Sequence, residues 1–168
     1  MGMSEMLLGE FDREFATTRK FLALVPDDKG PWKPHTKSME MGRLASHLAD
    51  MAERAEQVLT TSARTVTAEE VARCKDAWKG LTREATLEKF DANLKAARAA
   101  LAAIGEAAWS EPWKLEFMGR QVFNGPRAVA FRSIVMSHMI HHRAQLGLYL
   151  RLNEIAIPGT YGPSADEM

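Results

Sequence analysis

The chain has 168 residues, of which 46% are hydrophobic and 26% charged. That is about one domain's length and a globular composition, which excludes a wholly disordered or fibrous chain. Lys+Arg and Asp+Glu number 22 each, so no global field favours nucleic acid or an anionic membrane surface.

Cys74 is the single cysteine, so it has no internal disulfide partner and nothing implies an oxidising compartment. The start, Met1-Gly2-Met3-Ser4-Glu5-Met6, carries an early acid and lacks a basic then apolar leader. Met6 stands where a myristoylation signal wants Ser or Thr. No apolar stretch approaches the ~20 residues that span a bilayer. The expectation is a single cytoplasmic domain over residues 1–168, with no membrane or nucleic-acid partner.

The first predicted helix runs from Ser4 to Leu24, with Leu7, Phe11, Phe15 and Leu22 on one face and Ser4 as its cap. Pro26 and the following Asp27-Asp28-Lys29-Gly30-Pro31 end it. The second runs from Met39 to Leu59, with Ser38 as a candidate cap. Its seam is Met41, Leu44, Leu48, Met51, Ala55 and Val58, spaced as in a helix buried against other helices. Thr67-Ala68-Glu69-Glu70 fits a capping box, which predicts a short helix toward Trp78 closed by Gly80.

The third long helix spans Arg83 to Ile104, with Leu87, Phe90, Leu94, Ala97, Leu101 and Ile104 as its seam and Gly105 as its stop. In residues 109–125, Leu115, Phe117, Val122 and Phe123 flank a glycine-centred turn, which is compatible with a loop or a small hairpin. Pro126 opens the fourth long helix, which reaches Leu152. Pro158-Gly159 and Gly162-Pro163 make the tail, Ile155 to Met168, non-helical. Four long amphipathic helices predict an all-α, four-helix bundle.

The fourth helix carries the chemistry. Its seam continues from Phe131 and Val135 to His138, His142, Gln145 and Tyr149. Four residues rotate a helix by about 40° net and raise it about 6 Å, so both imidazoles leave one face and suit one divalent cation. The segment His138-Met139-Ile140-His141-His142 lacks the Glu of a zincin helix. His47, beside Leu44 and Leu48, offers a third ring from a second inward-facing helix. Such a trio leaves coordination positions open, as catalytic sites require.

The same residues also suit hydrogen-bonded core histidines, so spacing leaves both readings open. Two buried imidazoles without partners would cost several kcal/mol in order of magnitude, and a metal satisfies both. His141 is a competing ligand at i,i+3 but points about 100° away from His142. His35 sits in a proline-rich loop. Asp50 is the nearby acid that could orient His47 or act as a general base. Arg43 and Arg143 could hold an anion or form surface pairs. Trp32, Trp78, Trp109 and Trp113 could line a pocket or fill the core. Cys74 reads as an incidental thiol.

Three passages carry a family resemblance. They are Gly42-Arg43-Leu44-Ala45-Ser46-His47-Leu48-Ala49, His138 through Leu146 followed by Tyr149-Leu150-Arg151, and Pro158 through Glu167. With Trp32-Lys33-Pro34, they make the chain resemble the DinB family, also called DinB/YfiT-like proteins. The resemblance implies a four-helix bundle of that type, with His47, His138 and His142 as ligands of a divalent metal, Zn²⁺ or Ni²⁺. It excludes His141 from the ligand set. Ala144 departs from the Gly often found before the Gln.

The resemblance also implies a homodimer. Characterised relatives include bacillithiol- and mycothiol-dependent transferases and a maleylpyruvate isomerase. The expected function is therefore a metal-dependent enzyme, with low-molecular-weight-thiol S-transfer as the leading reaction. The alternatives are a non-catalytic, stress-related metal-binding homodimer and a metal-dependent hydrolase.

Overall fold

The computed structural model describes residues 2–168. Helix α1 spans Met3–Leu22, α2 Met41–Thr60, α3 Ala68–Asp76 and α4 Arg83–Ala103. Strands β1 (Ala63–Val66), β2 (Pro112–Phe117) and β3 (Arg120–Pro126) form one sheet in the order β1-β2-β3. Helix α5 (Arg127–Ala130), a π-helical segment (Phe131–Met136) and α6 (Ser137–Leu152) follow without a break. Among the described residues no helix is long and apolar enough to cross a membrane.

The helices α1, α2, α4 and α6 pack around one core. Its centre is aromatic: the Phe11 and Phe15 rings stack at 4.1 Å, with Phe90 and Phe131 against them. Every member of the predicted α2 seam is buried, from Met41 to Val58. Burying one such side chain contributes about 1.5–3 kcal/mol, so these seams dominate the assembly.

The structure is not all-α. The stretch left open between loop and hairpin is an antiparallel β2–β3 hairpin. Its turn places Met118 and Gly119 at φ 51° and 77°, the left-handed pair that fits the twist of a tight hairpin. β1 joins it in parallel, pairing Ala63 with Lys114. Trp113 is buried beneath the sheet, and its indole N–H donates to Thr61 Oγ1 at 3.3 Å.

Two predicted caps are displaced. Gly2, not Ser4, caps α1, and Ser4 Oγ instead donates to the Ile104 carbonyl and accepts from Trp109 Nε1. Glu40, not Ser38, precedes α2. Thr67 does cap α3, accepting from the Glu70 N–H at 3.1 Å. The tail contains one short 3₁₀ turn, Ala165–Glu167.

Helices α2 and α6 run antiparallel. At one end Met41 N–H bonds the Trp32 carbonyl, and the Trp32 ring meets Tyr149 edge-on at 5.4 Å. At the other, buried Arg127 donates to the carbonyls of Val58, Thr61 and Ala108. The middle of α2 therefore faces the first two turns of α6.

Candidate metal centre

The π-helical segment decides what α6 presents. Its wider turn shifts the helix frame, and such turns often lie at functional sites. After it, the core line runs through Met136, Met139, Arg143, Leu146 and Leu150, all buried. The stripe His138, His142, Gln145 and Tyr149 is thus the flank of the core and not its centre, as the uninterrupted 3.6-residue pattern had implied. On that flank, facing α2, His142 is buried while His47 and His138 are half-buried.

His138 Nε2 lies 2.8 Å from His142 Nε2 and 3.4 Å from His47 Nε2. One donor atom from each of the three histidines falls within 4.8 Å of the others. Nitrogens bound about 2.0–2.1 Å from a tetrahedral zinc stand about 3.3 Å apart, so the spacing fits a metal-sized gap.

Gln145 Oε1 lies 2.7 Å from His142 Nδ1. An amide oxygen only accepts, so Nδ1 carries the proton and Nε2 turns a lone pair toward the gap. Burial lowers the His47 pKa to about 2, with the Arg54 charge acting in the same direction. Burial also lowers His138 to about 4, aided by His142 and opposed by the Ile134 backbone carbonyl. His142 shifts downward for the same reason, against the favourable bond to Gln145. Neutral rings whose Nε2 atoms converge are what a divalent ion requires, the ion taking the place of any proton shared between them. An all-nitrogen donor set suits zinc, nickel or a related transition ion better than magnesium or calcium.

Among the described residues, no ion pair or hydrogen bond links these imidazoles to a carboxylate. Asp50 pairs with Lys89 Nζ at 2.5 Å and does not orient His47. His141 is exposed and only packs its ring edge-on against His142 at 4.9 Å. His35 is exposed, its Nδ1 accepting from the Lys37 N–H. Cys74 is exposed.

The DinB family model matches residues 1–168. The chain belongs to the DinB family. A crystal structure of a DinB-like protein from Bacillus cereus ATCC 10987 superposes with a TM-score of 0.67 at 16% identity. The match covers 94% of this chain and 97% of that one, and at this identity it shows the DinB-like fold alone. No curated protein matches the chain.

The role of Gln145 was not read from the sequence, although it stands one turn after His142. Arg143 was expected at the surface or on an anion. It is instead 3% exposed and pairs with the equally buried Glu14 at 2.8 Å. Its guanidinium also donates to the Glu14 carbonyl and to Tyr161 Oη, while Tyr161 O–H donates to Glu14 Oε2. This cluster ties the tail to α1 and α6 in the DinB fold. Trp109 and Trp113 are core residues, whereas Trp32 is partly buried near Tyr149.

Proposed function

We propose that the chain is a metal-dependent enzyme of the DinB-like class. His47, His138 and His142 would be the ligands, and zinc or nickel the most suitable ions. The carrying observation is the convergence of three ring nitrogens from α2 and α6, with Gln145 fixing the His142 tautomer. When bound, the metal supplies Lewis acidity that favours the anionic form of a coordinated thiol or water.

The chain's own residues hold the rings neutral, orient them and limit water around them. Among the described residues no carboxylate contacts the rings, and a bound metal would ionise a thiol as readily as water; the family resemblance favours the thiol. The reading is therefore S-transfer from a low-molecular-weight thiol. The thiol loses its proton to solvent, sulfur forms a bond to the electrophilic carbon, and the leaving group departs with the electron pair of the broken bond. The family resemblance further suggests that the chain works as a homodimer.

The test begins with protein purified without nickel affinity resin. Wild type should carry about one equivalent of metal and His138→Ala much less. Equal, near-zero metal after loading both proteins would reject the site. Thiol conjugation is then screened with the loaded protein, and inactivity with every common cellular thiol would reject the transferase assignment.

A further inference from the structure

Arg54 lies seven residues after His47 on α2, and seven residues return a helix to nearly the same face. The rise between them is about 10 Å. Arg54 is half-buried, and among the described residues burial and nearby charges act on its guanidinium without a hydrogen bond to it. Burial lowers its pKa, the mark of a cation with incomplete compensation.

The acids near Arg54 are Asp50 and Glu70, with Cys74 and the Arg64 cation also within electrostatic range. Asp50 is engaged by Lys89, and Glu70 by Arg64. The Arg54 charge acts on His47, His138 and His142 alike, in the same downward direction as burial. Arg43 differs, because its charge also acts on the carboxylates of Glu40 and Asp76. A divalent ion among neutral rings would add two positive charges to this region, with no carboxylate among the described residues bonded to the rings. A planar guanidinium there matches an oxyanion through two parallel hydrogen bonds.

We propose that Arg54 is a positioning residue for the oxyanion end of the small molecule whose reacting atom lies at the three-histidine centre. The site would then take anionic thiols or anionic electrophiles in preference to neutral ones. This inference rests on the metal-site reading for the position of the reacting atom. The anion contact itself does not depend on it.

The test uses the full chain loaded with Co²⁺ and a matched pair of probes, 6-mercaptohexanoate and 6-mercaptohexan-1-ol. Thiolate-to-cobalt absorption reports binding of each. Wild type should bind the acid about tenfold tighter than the alcohol. Arg54→Gln should lose that preference while keeping its cobalt content and its affinity for the alcohol. Arg54→Lys should keep part of it. Equal binding of acid and alcohol by wild type, or a preference that survives in Arg54→Gln, overturns the proposal.

A second measurement separates this from failure of the metal site. In metal-free protein, acetate and inorganic phosphate should each raise the Tm of wild type more than that of Arg54→Gln, and their order identifies the preferred oxyanion. If cobalt does not bind, the metal reading falls and this measurement decides the anion site. Equal shifts in both proteins overturn it.

Discussion

His142 and Gln145 form a hydrogen-bonded pair one turn apart on α6, with Nδ1 and Oε1 separated by 2.7 Å. The amide oxygen holds the proton on the far side of the ring, which leaves Nε2 as a donor toward His138 and His47. Gln145→Leu removes that constraint without touching a ligand. Loss of such an outer contact weakens metal affinity by about 10–100-fold. Competition with a chromophoric chelator should show that drop, together with unchanged helical content. An affinity equal to wild type would mean that Gln145 has no orienting role.

The buried histidines also set a pH dependence. Their folded pKa values lie below the ordinary value of 6.5, at about 2 for His47 and about 4 for His138. The unfolded chain therefore takes up protons that the folded chain refuses, and metal-free stability falls as pH drops below 6.5. The loss accumulates toward the folded values. Asp166 is held near 2 by Arg151 and the Ile157 N–H, so its titration falls outside the upper part of that window. The urea midpoint of metal-free protein should decline between pH 6.5 and 4.5, and less steeply in His47→Gln. A flat midpoint in wild type would contradict the burial of these rings.

Glu14 and Arg143 form a different kind of polar centre. Both are 3% exposed, and Tyr161 completes their hydrogen bonding. Glu14→Ala leaves a buried guanidinium without its counter-ion and should cost about 3–5 kcal/mol. Tyr161→Phe removes one hydroxyl from the network and should cost about 1 kcal/mol. Denaturant unfolding of the two variants checks the order. A larger loss for Tyr161→Phe than for Glu14→Ala would show that the tail contact, and not charge pairing, carries the stability.

The long helices were legible because each repeats apolar residues at threes and fours over about five turns. The α2 seam from Met41 to Val58 is the clearest case. The shared face of His138 and His142 was legible for the same reason, but spacing left ligand and core readings open, and the set His47, His138 and His142 came from the family resemblance. The sheet was hidden: β1 has only four residues and pairs in parallel with a strand some fifty residues away. No local pattern encodes that contact. The π-helical segment was equally silent, so the histidine stripe was placed at the core centre instead of its flank. Arg143 looked like a surface cation because its partner Glu14 lies 129 residues distant in the chain.

In the proposed centre His47, His138 and His142 grip one ion while His141 stays outside. Cobalt titration, followed by visible absorption and elemental analysis, tests this in wild type and in the four single alanine variants. Wild type and His141→Ala should each bind one cobalt per chain, with binding at least about 100-fold weaker in the other three. Wild-type binding in His47→Ala, His138→Ala and His142→Ala, or a loss in His141→Ala equal to theirs, would contradict it.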